Sequence, residues 1–317
     1  MPDGRLVTRP PQYPLGRTLH KNSRSLWISE AADDQSLMAF FEASTDVRNY
    51  ELQGTFSHVK IFHDIMRSGN RVVIKLENPS SEKKFVYVME SIAQLISEVE
   101  EKEQLKYLLS ELAEWSAFLA PKREGLTKAQ LVGLWGELKI FTEYLLDRLS
   151  PREAVAAYCG IHDAPQDIAQ NNFSIEVKTT LQKTPSKISI SSLEQLDAWP
   201  ARQLLVLLIA GEEDNGQSVN DLISIISDAL MVDRLAQISF QKAVYKKVEG
   251  ASEKQLDLTF SKGSEHSWDV VENFPALRRR EIPEGVVSAK YQIALSHIED
   301  FSTGKLVGDW IDGIRVT

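Results

Sequence analysis

Residues 203–210, QLLVLLIA, form an almost unbroken apolar run, which constrains the fold more than any other segment of the sequence. A strand with one face in water alternates apolar and polar residues, whereas a strand covered on both faces is apolar throughout. The run is far shorter than the ~20 apolar residues that a membrane-spanning helix needs. It therefore predicts a fully buried strand in the middle of a sheet.

Helical and strand-like patterns alternate along the rest of the chain. Apolar residues recur every three or four positions at 91–120, 127–149 and 218–230, which predicts amphipathic helices, and 193–202 predict a further short helix. Strands are predicted from short runs at 25–31, 58–62, 71–77, 84–89, 243–248, 255–261, 267–272 and 288–295. These patterns predict a chain of the mixed α/β (α+β) class.

Changes in composition divide the chain into three predicted regions. The segment APKREG at 120–125 is a candidate linker. Residues 1–120 are predicted to form an N-terminal α/β domain without catalytic residues, because no cluster of carboxylates or histidines there has the spacing of a ligand set. Residues 121–235 are predicted to form a core domain, and residues 236–317 a β-rich C-terminal region.

The composition excludes several classes of protein. Cys159 is the only cysteine, so an intrachain disulfide and a Cys-rich zinc site are excluded and a reducing cytoplasm is the expected location. No apolar segment at the N-terminus has the length of a signal-peptide core, so we expect neither export nor membrane insertion. The formal net charge of −9 argues against a chain that coats nucleic acid with its whole surface, while a local basic surface is compatible with it.

The segment NNFSIEVKTT at 171–180 places a carboxylate and an ammonium on one face of a predicted strand. Residues two apart share a face, so Glu176 lies beside Lys178 while Ile175 and Val177 point to the opposite, buried side. A half-exposed strand with a solvated Glu and Lys explains this pattern equally well when the segment is taken alone.

A hairpin would bring a second carboxylate to the same face. Asn171–Asn172 tolerate the backbone angles of a tight turn, and a turn centred between them pairs residues whose numbers sum to 343. Asp167 then lies opposite Glu176, with the side chains ~5 Å apart. Two carboxylates at that distance repel, so we expect a cation between them. Lys178 is one candidate, and Mg²⁺, which binds few carboxylates and keeps its waters, fits better.

Glu137 lies on or beside the apolar stripe of the helix that Thr127 is predicted to cap. The stripe consists of Leu131, Leu134, Leu138, Phe141 and Leu145. An unpaired buried charge is costly, so this carboxylate should be paired, ligated or functional. A position at the edge of the stripe, with the carboxylate in water, is the alternative.

Taken together, these segments resemble the PD-(D/E)XK nuclease superfamily, and more narrowly the PD-(D/E)XK motif proteins encoded among bacterial restriction-modification genes. The resemblance rests on GLWGEL at 133–138, QDI at 166–168, IEVKTT at 175–180, ISSLEQLD at 190–197, FPAL at 274–277 and IPEGV at 282–286. The sequence departs from the pattern at Ile168, where an aromatic residue is expected, and at Pro165, which lies one residue too early.

The resemblance implies a restriction-endonuclease-like core, a mixed β-sheet flanked by helices, that hydrolyses DNA with a Mg²⁺-activated water; Mn²⁺ is expected to substitute. Asp167 and Glu176 would hold the metal, with the backbone carbonyl of Val177 as a further ligand. Lys178 would position and help to deprotonate the water and stabilise the charge on the phosphate. Glu137 would reach the metal or its water from the neighbouring helix.

Two further residues, Asp163 and Gln195, have alternative interpretations in this scheme. Asp163, in HDAP at 162–165, is the second choice for the metal ligand, because the hairpin would place it opposite Thr180, beyond Lys178. The resemblance also suggests that Gln195 touches the site or the DNA backbone, and a structural helix residue is the alternative reading.

The substrate implied by the resemblance is double-stranded DNA. Arg278, Arg279 and Arg280 form the densest basic run, and they are candidates for phosphate contacts or residues of a solvated loop. A DNA methyltransferase or helicase of the same restriction-modification or phage-defence system is a candidate partner of the N-terminal domain. A homodimer is expected if both strands of the duplex are cut. The alternative function is a non-catalytic DNA-binding or assembly subunit that keeps the nuclease fold.

Overall fold

The structure is a computed structural model of the 317-residue chain. It describes residues 6–7, 16–20, 23–30, 36–44, 47, 59–63, 70–77, 81–119, 125–159, 164–197, 202–248 and 250–315. The chain divides into two compact units, residues 1–123 and residues 124–317. None of the helices in these described ranges is long and apolar enough to cross a bilayer.

The first unit contains an antiparallel sheet and two helices. The described strands are β1 (Leu6–Val7), β2 (Gly16–His20), β3 (Ser23–Glu30), β4 (Leu37–Glu42), β5 (Val59–His63) and β6 (Arg71–Leu76), in the order β1-β2-β3-β4-β6-β5. The helices are α1 (Glu82–Ile96) and α2 (Gln104–Leu119). The strands predicted at 25–31, 58–62 and 71–77 are thus confirmed as β3, β5 and β6.

The prediction of a strand at 84–89 is wrong, because these residues lie in α1, which begins at Glu82. Phe85, Val88, Met89 and Ile92 are each 0% exposed and recur at helical spacing, so they form one buried stripe. The alternation of FVYVME suits a strand, but packing of this stripe favours the helix. The helix predicted over 91–120 therefore starts nine residues earlier, and it is two helices, because the helical pattern is interrupted between Ile96 and Gln104.

The second unit combines a mixed sheet with six helices in its described part. Its strands are β7 (Ile168–Ala169), β8 (Phe173–Thr180), β9 (Lys187–Ile190), β10 (Arg202–Ser218), β11 (Thr259–Asp269) and β12 (Tyr291–Ala294). Its helices are α3 (Lys128–Ile140), α4 (Pro151–Cys159), α5 (Val219–Ala229), α6 (Arg234–Lys247), α7 (Glu253–Leu256) and α8 (Val307–Arg315). One sheet has the order β11-β10-β8-β7, with β10 parallel to β8 and antiparallel to β11, and β12 pairs with β9.

The apolar run at 203–210 lies in β10, between β8 and β11, as predicted for a strand in the middle of a sheet. Leu204, Val206 and Leu208 pack in the core formed with α3, α5 and α6. Leu205 and Leu207 point to the opposite face and pack against residues of β9 and β12. The run is apolar because both faces of this strand are covered.

Residues close together in the sequence determine where α3 begins. The Thr127 side chain accepts from the backbone N–H of Gln130 at 3.3 Å, and the Gln130 side chain accepts from the backbone N–H of Thr127 at 2.9 Å. This reciprocal capping satisfies two N–H groups that the helix leaves without partners. The predicted cap is confirmed. After Ile140 the helix continues as a π-helical turn over Phe141–Leu145.

Several predictions for the later part of the chain need correction. Residues 243–248 lie in α6 rather than in a strand, because Phe240, Gln241 and Val244 recur at helical spacing and are buried. The described part of the short helix predicted at 193–202 is a 3₁₀ turn, Glu194–Leu196, and Arg202 already belongs to β10, while residues 198–201 lie outside the described residues. Residues 255–256 belong to α7, and the strand expected there begins at Thr259. The mixed fold class is confirmed.

Candidate functional site

The hairpin between β7 and β8 aligns two carboxylates. Ile168 pairs with Ile175 and Ala169 pairs with Ser174, so paired residue numbers sum to 343, as predicted. This register, extended by one residue, places Asp167 opposite Glu176. The Oδ2 atom of Asp167 accepts a hydrogen bond from the backbone N–H of Val177 at 2.8 Å. The hairpin therefore holds the Asp167 carboxylate against β8.

Glu176 and Lys178 form an ion pair on the face of β8 that meets the cavity. Lys178 Nζ donates to Glu176 Oε1 at 2.6 Å and to Gln195 Oε1 at 3.2 Å. Glu176 is 1% exposed, and its second oxygen, Oε2, is buried without a hydrogen-bond partner. Burial, and next the charge of Asp167, raise the pKa of Glu176 to about 8, although Lys178 opposes the shift. An orphaned, buried carboxylate oxygen is one that a cation can satisfy.

Glu137 reaches the same site from α3. Its Oε2 accepts from Lys247 Nζ at 2.5 Å, so the carboxylate is paired, which was one of the predicted alternatives. Burial, and next the charge of Asp167, raise the pKa of Glu137 to about 7 against the opposing effect of Lys247. Burial also raises the pKa of Asp167, and the Val177 N–H and the nearby lysines limit that shift.

Glu137, Asp167, Glu176, Lys178 and Lys247 all line one cavity of 430 Å³. Its walls come from α3, β8, β9, the 3₁₀ turn at 194–196 and the end of α6. The structure thus brings together the four predicted catalytic residues, which are separated by up to 41 positions in sequence, and adds a second lysine. Asp163, the alternative to Asp167, lies outside the described residues.

The two glycines of GLWGEL have different surroundings. A Cβ atom at Gly136 would lie 1.8 Å from Thr179 Oγ1, so α3 packs against β8 where only glycine fits. A Cβ atom at Gly133 would meet nothing within 4 Å. The contact at Gly136 is next to Glu137 and sets how closely that carboxylate approaches the two carboxylates of the hairpin.

We expect Gly136→Ala to destabilise the protein by about 1–3 kcal/mol, the usual cost of overpacking. Gly133→Ala is the matched control in the same helix, and it should be neutral or stabilising by up to about 1 kcal/mol, because alanine favours a helix over glycine. Urea unfolding of both variants measures the difference. Equal stabilities of the two variants would contradict the close packing of α3 on β8.

Gln195 contacts the site through Lys178. Its Oε1 atom accepts from Lys178 Nζ at 3.2 Å and from the backbone N–H of Ser191 at 2.8 Å. Its backbone carbonyl accepts from the side chains of Gln166 and Gln203. The 3₁₀ turn is thereby tied to the hairpin and to β10, and Gln195 is in a position to orient the ammonium of Lys178.

Lys247 was missed by the sequence analysis. Residues 243–248 were interpreted as a strand, so nothing pointed to a lysine at the end of a helix. The burial pattern of α6 would have been the signal, because Phe240 and Val244 lie on the buried face of that helix. Lys247 Nζ also lies 4.6 Å from the centroid of the Tyr158 ring, a cation–π contact with α4.

The arginine run at 278–280 lines a different cavity, of 420 Å³, together with Asp197 and Glu272. Arg278 is only 4% exposed and donates to the backbone carbonyl of Val271 at 2.6 Å, so its prediction as a phosphate contact is corrected to a structural role. Arg279 and Arg280 are exposed. They are still candidates for a contact with DNA, although each already has acidic or carbonyl partners.

The three carboxylates suit a hard divalent cation, since such ions prefer oxygen ligands. Among the described residues, however, no three His, Cys, Asp or Glu side chains lie together in an arrangement that could hold a metal ion. In this arrangement Lys178 contacts Glu176, Lys247 contacts Glu137, and the Val177 N–H donates to Asp167. The unpartnered oxygen of Glu176 nevertheless fits a cation, so the donor set is compatible with a metal that displaces the lysines.

The comparisons with known proteins agree with the fold. A family model described as "Putative PD-(D/E)XK family member" matches residues 11–296, which include all the predicted site residues. No curated protein and no solved structure matches the chain. The mixed sheet flanked by helices is consistent with a restriction-endonuclease-like fold, as predicted. The chain belongs to this family, which is described by the PD-(D/E)XK motif.

Proposed function

We propose that the protein is a Mg²⁺-dependent endonuclease that hydrolyses phosphodiester bonds in double-stranded DNA, with Mn²⁺ as a substitute metal. The observation that carries the proposal is the cavity in which Glu137, Asp167, Glu176 and Lys178 converge, with one buried Glu176 oxygen unpartnered. Three carboxylates beside a lysine suit hydrolysis of a phosphate ester, in which a cation and a proton acceptor act on one water.

Each residue has a distinct role in this proposal. Asp167 and Glu176 hold the metal, Glu137 binds it or its water, and the backbone carbonyl of Val177 is a further candidate ligand. The bound metal would supply a polarised phosphate and a water of lowered pKa. Lys178, which Gln195 orients, holds the attacking water and, with its amine in the neutral form, takes the proton that the water loses. The ammonium formed in this way stabilises charge on the phosphate. Residues of α3 form one wall of the cavity.

The experiment is incubation of the purified protein with supercoiled plasmid and Mg²⁺ or Mn²⁺, beside Lys178→Ala. We expect open-circular and linear DNA from the parent and none from the variant. A closed circle has no ends, so this substrate separates an endonuclease from an exonuclease. Degradation of linear DNA alone would contradict the endonuclease function.

The biological setting is proposed from the family resemblance. We propose a cytoplasmic restriction-modification or phage-defence role in which residues 1–120 contact DNA or a partner such as a methyltransferase or helicase. The formal net charge of −9 favours help from a partner in binding DNA, and also favours the second candidate function, a non-catalytic DNA-binding or assembly subunit. Inertness of the parent toward every DNA tested, with either metal, would select that second function. A homodimer is proposed because cutting both strands calls for two sites.

The affinity for Mg²⁺ should rise with pH. The pKa values of Glu137 and Glu176 in the metal-free protein are about 7 and about 8, and a carboxyl must lose its proton to bind a cation. We therefore expect an increase of up to about tenfold per pH unit for each proton released between pH 6 and 8. Calorimetry in buffers of different ionisation enthalpy counts those protons. An affinity that is constant over this range would contradict the prediction.

The same shifts predict the pH dependence of stability without metal. Folding raises the pKa of both carboxyls above the ordinary value of 4.5, so the folded state binds more protons than the unfolded state from there to about pH 8. The free energy of unfolding should therefore decrease as the pH rises through this window. Glu176→Gln removes one titrating group and should flatten the dependence in thermal melts with EDTA.

A further inference from the structure

Lys247 is a cation of the cavity to which the proposed reaction assigns no role. It is the last residue of α6, and its Nζ atom lies 2.5 Å from Glu137 Oε2. The side chain is 36% exposed and lines the cavity together with Asp167, Glu176 and Lys178. It is therefore reachable from solvent and adjacent to the proposed metal ligands at the same time.

The ion pair with Glu137 conflicts with metal binding at that carboxylate. A divalent cation bound by Glu137 would lie within a few ångströms of the Lys247 ammonium, and like charges at that distance repel strongly. The ammonium must then leave Glu137. The Lys247 ammonium lies over the Tyr158 ring, with Nζ 4.6 Å from the ring centroid, and this cation–π contact holds the side chain at the cavity. An ammonium that leaves Glu137 at the edge of this cavity is free to bind another anion.

A phosphate oxygen of the substrate is the partner that the site itself supplies. A lysine binds phosphate as a flexible point charge, without the fixed geometry that a guanidinium requires. Lys178 comes from β8 and Lys247 from α6, so the two ammonium groups reach the cavity from different elements. In the metal-free protein they neutralise two of the three carboxylates, and after metal binding at least Lys247 becomes free for DNA.

We propose that Lys247 is a second phosphate-binding lysine of this site. Its ammonium occupies the position beside Glu137 in the metal-free protein, and it contacts a DNA phosphate after a metal ion has displaced it. This inference rests on the proposed DNA substrate and metal dependence. It assigns the contact to a residue outside the sequence segments that carry the family resemblance.

The first test measures Mg²⁺ binding without DNA. Lys247→Ala removes a cation that competes with the metal, so we expect Mg²⁺ to bind about threefold to tenfold more tightly at pH 8.5. Lys246→Ala is the matched control, since Lys246 is the preceding residue of the same helix and is exposed. It should leave the affinity unchanged. Lys247→Met keeps an unbranched side chain of similar length without the charge. It should behave like Lys247→Ala, and it controls for a folding defect caused by the shorter alanine.

The second test measures binding of a short DNA duplex with saturating Mg²⁺ in the Lys178→Ala background, where the DNA stays intact. Adding Lys247→Met should weaken binding by about tenfold and reduce the slope of log K against log salt by about 0.9, the value for one lost phosphate contact. Adding Lys246→Ala should change neither the DNA affinity nor the salt slope. A lysine with a merely structural role would not change the salt slope in this way.

The outcomes separate this inference from the nuclease function. Tighter Mg²⁺ binding together with a reduced salt slope supports the inference, even if the parent cuts no plasmid. Unchanged Mg²⁺ affinity overturns the competition at Glu137, and an unchanged salt slope overturns the phosphate contact. If the parent cuts plasmid but Lys247→Met changes neither the Mg²⁺ affinity nor the salt slope, the inference is overturned. The nuclease function is then still supported.

Discussion

Asp167→Ala and Glu176→Ala are each expected to abolish Mg²⁺ binding and to lower DNA cleavage by about 10³-fold or more, because the metal supplies several kcal/mol of transition-state stabilisation. Both carboxylates line the cavity, and the free oxygen of Glu176 has no other partner. Calorimetric Mg²⁺ titration beside a plasmid cleavage assay measures both effects. Asp228→Ala, which removes an exposed carboxylate of α5, is the control and should change neither.

Loss of activity in these variants should not come from unfolding. Burial and the neighbouring carboxylates raise the pKa of Glu176 to about 8, which means that its ionised form is disfavoured in the folded state. Replacing Glu176 with alanine removes the cost of burying the ionised carboxylate above pH 8. Thermal melts of this variant with EDTA should therefore show little loss of stability. If Asp167→Ala still bound Mg²⁺ and cut DNA while Asp163→Ala did neither, Asp163 would be the ligand and the assignment of Asp167 would be wrong.

Lys178→Ala is expected to lower cleavage by about 10²–10⁴-fold, the usual contribution of a residue that assists proton transfer. It should still bind Mg²⁺, and above pH 8 more tightly than the parent, because a cation 2.6 Å from Glu176 Oε1 has been removed. Lys183→Ala, on an exposed loop residue, is the control for the charge change. The contrast with the carboxylate variants separates residues that hold the metal from the residue that acts on water and phosphate.

A second variant checks how Lys178 is held. Gln195→Ala removes the acceptor at 3.2 Å from Lys178 Nζ and should reduce cleavage less than Lys178→Ala does, with Mg²⁺ affinity unchanged. If Lys178→Ala lost Mg²⁺ binding as well as cleavage, its main role would be to hold Glu176 in place. The division of roles proposed for the site would then be wrong.

Local sequence determined the parts of the site that depend on neighbouring residues. Thr127 and Gln130 are three positions apart, and their reciprocal hydrogen bonds set the start of α3. Asn171–Asn172 set a turn whose register aligns Asp167 with Glu176. A cap and a hairpin turn each involve only a few adjacent residues, so their geometry follows from residue type. The apolar run in β10 likewise determined a strand covered on both faces.

Only the tertiary structure decided which patterns became helices and which charges met. FVYVME at 85–90 and AVYKKV at 243–248 alternate over six residues, which is too few to separate a strand from a helix, and packing of their buried stripes decided for the helix. Arg278 is buried because residues near Val271 and Asp197 surround it. Lys247 meets Glu137 across 110 positions of sequence. No local pattern encodes such a pair, because the contact depends on how α6 packs on α4 and α5 and how α5 packs on α3 in the folded core.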